Sequence, residues 1–247
     1  MIVVFYALRR ELGALRKRIV NRCALGEGLR GFKGELHGEE VVMVATGIGI
    51  TRAREAARRA LQMLPSPRLV ISTGVAGGLS PELKAGDLVI ADPLLIETES
   101  GGYEEAARIA PATIELARAA LGRRGVNAAA GPMLTARRVL SSAQAKGQAY
   151  ARCGAIAVDM ESAAIALEMA GCGAPFICIR AVIDEAGDEI PGELAGQSGE
   201  VSPLKAAAYF VRNPAALARV PAILKNLSRA TASIAAALSA LCSPGGG

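Results

Sequence analysis

Apolar and polar positions along the chain follow two rhythms. Short, nearly unbroken apolar runs read as buried strands: IVVFYAL (2–8), EVVMVATG (40–47), RLVISTG (68–74) and DLVIAD (87–92). Helical spacing predicts helices over ELGALRKRI (11–19), TRAREAARRALQML (51–64) and 110–124, and VNAAAGPML (126–134) reads as extended. AIAVDM (155–160), SAAIALEMA (162–170) and APFICIRAVID (174–184) then repeat strand, helix, strand. Apolar strands bounded by Gly and Pro, with helices between them, predict an α/β domain whose sheet is covered on both faces. GDEIPGELAGQSGEVSP (187–203) is a polar loop, and the Ala-rich stretch 204–242 is helical, punctuated by Pro214 and Pro221. The pattern predicts one domain over 1–247, with loop 187–203 and a helical C-terminal extension 204–242.

Composition narrows the class of protein. At about 150 residues per domain, 247 residues suffice for a sizeable core without separating one domain from two. With 51% hydrophobic residues the chain is not disordered. The net charge of +5 comes from scattered Lys and Arg, and with only 4 Tyr, 4 Phe and no Trp the chain offers no nucleic-acid platform. The N-terminal MIVVFYALRRE has no basic region ahead of its apolar run, so it reads as a strand and not as a signal peptide. No run of about 20 apolar residues predicts a membrane span. Five cysteines without C-x-x-C spacing read as reduced thiols of a cytoplasmic protein. His37 is the only histidine, in the polar turn ELHGEE, which argues against a histidine triad or a His-rich metal site.

Two stretches carry the chemistry. In AIAVDMESAAIALEMAG, Asp159 and Glu161 interrupt an apolar run, and buried carboxylates need an ion pair or a polar ligand to offset their desolvation. Strand alternation turns Asp159 away from the site as a structural residue. In FICIRAVID, Arg180 and Asp184 are four residues apart, hence on one face of an unbroken strand, and Arg180 needs an anion such as Glu11 or a phosphate. TGIGI (46–50) and STGVAGGLS (72–80) read as glycine turns that let a ligand approach the backbone. Neither is a dinucleotide fingerprint: the first lacks its third glycine, and too few residues follow the second for a crossover helix before Asp87.

In combination, STGVAGGL, LKAGDLVIAD, AVDMESAAIA and FICIRAVIDEA resemble the purine nucleoside phosphorylase and uridine phosphorylase superfamily. Over residues 1–186 the chain is most similar to the methylthioadenosine/S-adenosylhomocysteine nucleosidases. After the polar loop, YFVRNPAALARVPAILKNL resembles the hopanoid-associated phosphorylase branch, which removes adenine from the lipid-linked nucleoside adenosylhopane. The resemblance implies a three-layer α/β/α sandwich with a central mixed sheet, assembled as a homodimer or larger, using neither metal nor organic cofactor.

It also implies roles. Cleaving an N-glycosidic bond requires a proton for the departing base, stabilisation of an oxocarbenium-like ribosyl centre and a nucleophile on the opposite face. Asp184 matches the aspartate serving purine N7, which needs a raised pKa. Glu161 matches the glutamate that binds the ribose hydroxyls, with Met160 against the sugar. Glu11 matches the acid that activates water, although Arg9 and Arg10 replace the acids before it, and Arg180 lies near the nucleophile. Val139 and Leu140 occupy the segment whose backbone holds the adenine edge, with Val139 in place of an aromatic. Val75, Ala76 and Gly77 line the substrate side of STGVAGGL.

The nucleophile is water or phosphate. ALRRE lacks the phosphorylase G-D-P-x-R motif, and a carboxylate at Glu11 repels phosphate, which favours hydrolysis over phosphorolysis. A rival reading is a lipid-surface protein with a degenerate site, because Lys205, Arg212, Arg219, Lys225 and Arg229 sit among apolar residues in 205–242. Peripheral contact with the inner membrane would also suit a lipid-linked substrate.

Overall fold

The first strand, β1 (Ile2–Tyr6), is buried along its whole length, as a strand covered on both faces must be. Alternation divides it between two cores. Ile2, Val4 and Tyr6 face Leu12, Leu15 and Ile19 and the buried residues Ala230, Ile234 and Leu238. Val3 and Phe5 face Ala53, Ala57 and Ala60 on one side of a helix, together with Ile165 and Met169. The result is the expected three-layer arrangement, helices on both faces of one sheet. The computed structural model describes residues 1–190 and 220–243, except positions 14 and 27.

The other strands are β2 (Val20–Ala24), β3 (Gly31–Leu36), β4 (Glu39–Ala45), β5 (Leu69–Gly78), β6 (Leu88–Glu97), β7 (Tyr103–Ala107), β8 (Ala128–Thr135), β9 (Ala157–Asp159) and β10 (Phe176–Asp184). The helices are α1 (Leu15–Arg18), α2 (Ile50–Met63), α3 (Pro111–Gly122), α4 (Ala143–Cys153), α5 (Ser162–Met169) and α6 (Val220–Leu241). The sheet is mixed. β1 pairs parallel with β4 and β5, and β5 parallel with β10, while β2, β3 and β4 form an antiparallel meander. Pairing also runs from β10 through β6, β8 and β9 back to β5, so part of the sheet closes on itself. The C-terminal end of β5 is thereby held between β9 and β10.

Several expectations need correction. The helix expected over 11–19 is a 3-10 turn (Arg9–Leu12) followed by the short α1. Gly13 separates them at φ 46, and a Cβ there would stand 2.9 Å from Thr231 of α6. The chain bends under α6, and the bend turns Glu11 inward. STGVAGGLS is not a turn: β5 continues to Gly78 because Gly77 and Gly78 pair with Val158 and Ala157 of β9. The hairpin β2–β3 and helix α4 were not expected. β2 is exposed throughout, so it shows no apolar pattern to read.

Of the C-terminal stretch, 191–219 lies outside the described residues, including Pro214, Lys205, Arg212 and Arg219. In α6, Ile223 and Leu224 are exposed, whereas Ala230, Ile234, Leu238 and Leu241 are buried against the body of the protein. Its second half is therefore a packed helix. No helix among the described residues is long and apolar enough to cross a membrane.

Candidate active site

Register explains the glycines. In the parallel pairing of β5 with β10, Gly74 stands opposite Arg180 and Gly77 opposite Asp184. A Cβ on Gly74 would lie 2.3 Å from Arg180 Nη1 and 3.2 Å from both carboxylate oxygens of Glu11. A Cβ on Gly77 would lie 3.2 Å from Asp184 Oδ2. Each absent side chain makes room for functional groups. Three residues along a strand span about 10 Å, close to the length of a nucleoside.

Glu11 is buried and aimed by the backbone. Its Oε2 accepts hydrogen bonds from the amides of Ala7 and Leu8, both at 2.9 Å. Burial pushes its pKa up, and the Arg180 charge pulls it back. Glu161 stands at the N-terminal cap of α5, yet its side chain makes no cap bond. Oε1 instead accepts from the amide of Gly49 at 2.8 Å. That amide belongs to TGIGI, where Gly49 has φ 98, a conformation that favours glycine. Desolvation and the nearby Asp159 carboxylate raise the Glu161 pKa.

Arg180 is 1% exposed, so all its charge must be met internally. Its main partner is Asp159, Nη2 to Oδ2 at 2.8 Å, with Glu161 Oε2 at 3.9 Å. Nε and Nη2 both donate to Ser162 Oγ, at 3.0 and 2.8 Å. Asp159 also accepts from Thr135 Oγ1 at 2.7 Å and from the amide of Ser162 at 3.0 Å, which fixes the start of α5. The expectation that Asp159 faces away is therefore wrong. It is a structural residue, but one that holds Arg180 from the same side. Arg180 Nη1 alone has no hydrogen-bond partner, and it points with Glu11 at the space over Gly74.

Asp184 lies beyond a register shift in β10 between Val182 and Asp184, so the strand is not unbroken and alternation does not relate its facing to that of Arg180. Desolvation raises its pKa, as expected, but its setting is not simply apolar: Lys146 Nζ is paired with Oδ2. Val75, Met160, Val139 and Leu140 are half-buried and Ala76 is buried. Leu140 packs with Leu79, Leu134 and Val158. Glu11, Arg180, Glu161, Asp184 and Gly77 are thus brought together along β5. Sequence reasoning missed Lys146, Ser162 and the Gly49 amide. Lys146 left one faint signal, standing three residues before Ala149 on the buried face of α4.

The raised carboxylates link stability to pH. Glu11, Glu161 and Asp184 hold protons in the folded state to higher pH than in the unfolded chain, where Glu titrates near 4.5 and Asp near 3.8. Between those values and the folded pKa values the native state binds more protons, so stability falls as pH rises. The half-buried Glu185, whose pKa is lowered, acts in the opposite sense. The unliganded protein is expected to melt at lower temperature at pH 8 than at pH 5, and Glu161→Gln should flatten that slope. An unchanged slope in the variant would show that Glu161 is ionised throughout.

The family model described as "Phosphorylase superfamily" matches residues 2–212. The chain is 33% identical over 200 residues to a 5′-methylthioadenosine/S-adenosylhomocysteine nucleosidase of Geobacillus thermodenitrificans, covering 74% of this chain and 83% of the relative. The nucleosidase of the same name from Neisseria meningitidis, solved with methylthio-immucillin-A, superposes with TM-score 0.73 at 26% identity over 97% of each chain. The futalosine hydrolase of Helicobacter pylori shares the fold, with TM-score 0.69 at 19% identity over 96% of each chain. Fold, site and relatives define the class, an enzyme of N-glycosidic bond cleavage, either a nucleosidase or a nucleoside phosphorylase. The chain belongs to the phosphorylase superfamily.

Proposed function

We propose that the protein hydrolyses the N-glycosidic bond of an adenine nucleoside and releases adenine. The observation that carries this reading is the pair over Gly74: the Glu11 carboxylate and the unpartnered Nη1 of Arg180 face one small space. A water there can donate one hydrogen bond to Glu11 and accept one from Arg180. As the bond to adenine stretches, Asp184 supplies a proton to N7 of the leaving base, and the ribose hydroxyls donate to the remaining lone pairs of Glu161. The water attacks C1′ of the oxocarbenium-like centre and Glu11 takes its proton. Met160, Val75, Ala76 and Gly77 line the sugar, and the backbone at Val139 and Leu140 meets the adenine edge. The relatives named as nucleosidases for adenine-containing substrates support the choice of base.

The finer reading makes the substrate adenosylhopane, in hopanoid biosynthesis. It rests on the resemblance of 209–227 to the hopanoid-associated branch, and on the exposed Ile223, Leu224 and Lys225 at the start of α6, which suit a lipid surface. In this reading the protein is one domain, cytoplasmic with peripheral contact at the inner membrane, and works as a homodimer or larger. Phosphorolysis is the second reading, favoured by the exposed Arg9 and Arg10 next to Glu11.

The test is adenine release from methylthioadenosine, S-adenosylhomocysteine, inosine and adenosylhopane, with and without phosphate. Release in phosphate-free buffer is expected, with adenosylhopane the best substrate and no base released from inosine. Strict dependence on added phosphate would overturn hydrolysis, and preference for a thioether nucleoside would overturn the lipid-linked substrate.

A further inference from the structure

The most unusual side chain that the proposed chemistry leaves unused is Lys146. It is fully buried, and buried ammonium groups are rare without compensation. Here all three Nζ donors are engaged: with Asp184 Oδ2, with the carbonyl of Glu185 at 2.7 Å and with the carbonyl of Asp188 at 3.1 Å. The two carbonyls belong to the turn after β10, and that turn is fixed independently of Asp184. The amide of Glu185 donates to Asp188 Oδ2 at 2.8 Å, and the amide of Asp188 donates to the carbonyl of Glu185 at 3.0 Å. Lys84 Nζ anchors Glu185 Oε2 at 2.9 Å. At the other end, α4 is capped by Ser142, whose Oγ accepts from the amide of Ala145 at 3.1 Å. Lys146 is therefore delivered to Asp184 from two rigid sides.

We propose that Lys146 is the positioning residue of the leaving-base half of the site: its ammonium pins Asp184 Oδ2 beside Gly77 and leaves Oδ1 to share a proton with N7 of the departing purine. This rests on the assignment of Asp184 above. The charged groups around Asp184 are Lys146 from α4 and Asp188 from the following turn, the first favouring and the second opposing the ionised carboxylate. One cation and one more distant anion leave Lys146 dominant. It orients the acid and makes it readier to give up its proton, at the cost of holding that proton less well at high pH.

The experiment compares wild type, Lys146→Met, Asp184→Asn and the double variant, which removes both charges and guards against misfolding from a lone buried one. Turnover is followed across pH on an adenine nucleoside and on 4-nitrophenyl riboside, whose leaving group needs no proton. Lys146→Met should lose about 10- to 100-fold on the nucleoside near neutral pH and only a few-fold on the nitrophenyl substrate. Its high-pH limb should move up by about one unit, because the carboxyl no longer faces a cation. In the Asp184→Asn background Lys146→Met should cost nothing further. An unmoved limb, equal losses on both substrates or losses that multiply in the double variant would make Lys146 merely structural and overturn the proposal. If Asp184→Asn alone turned over the nucleoside like wild type, the role of Asp184 itself would fall, and the role of Lys146 with it.

Discussion

Asp184→Asn is expected to lower turnover of an adenine nucleoside by at least about 100-fold, the scale of a lost general acid. The amide keeps the shape of the side chain and still accepts a hydrogen bond from Lys146 through its oxygen, but it leaves that buried ammonium without its counter-charge, so the melting temperature is expected to fall as well. What it lacks is a transferable proton. Adenine leaving without one carries the negative charge that develops as the bond breaks, in a buried site with little water to solvate it. On 4-nitrophenyl riboside the same variant should fall by only a few-fold. The check is adenine release by absorbance beside the nitrophenolate assay, with the melting temperature of each variant recorded. Near-normal turnover of the nucleoside would remove Asp184 from its role.

The apolar runs are legible because β1 and the first halves of β5 and β10 are largely buried and read in sequence as IVVFY, LVI and FICI. The exposed hairpin strand β2 gave nothing to find. At the site, Glu161 and Arg180 stand out because charge inside an apolar run is expensive, whereas Glu11, in LRRELG, and Asp184, at the end of its strand, are singled out by the family resemblance. Asp159 stands out for the same reason, but alternation places it on the wrong side, since alternation describes a strand only while it lasts and β9 ends at Asp159 itself. Lys146 had no such contrast. Its neighbours, Ala-Gln-Ala before and Gly-Gln after, are what an ordinary surface helix carries, and only the arrival of the turn after β10 buries it. Long-range contacts of this kind are set by the sheet register, and no local pattern encodes them. Gly74 and Gly77 show the converse: their need for glycine is legible only once Arg180 and Asp184 are known to stand opposite them.

Arg180→Met is expected to destabilise the protein by about 3–5 kcal/mol, the range for removing one partner of a buried ion pair. The methionine fills much of the volume, so the loss is electrostatic more than a cavity. Asp159 would keep Thr135 and the α5 amides but lose its cation, and Glu161 and Glu11 would face one another with less screening. Adding Asp159→Asn should recover most of that loss, because the double variant no longer buries an unpaired carboxylate there. Denaturant midpoints of the two singles and the double decide it, and additive losses would mean that the two side chains are not coupled. Arg180→Lys separates folding from chemistry. An ammonium is a point charge that can meet Asp159, but it cannot at once reach Ser162 and leave a second nitrogen aimed over Gly74. That variant should keep much of the stability and still lose about 100-fold in turnover, as when a preorganised donor is removed from a site of developing charge. A lysine variant as active as wild type would show that the nitrogen facing Glu11 does not serve the nucleophile.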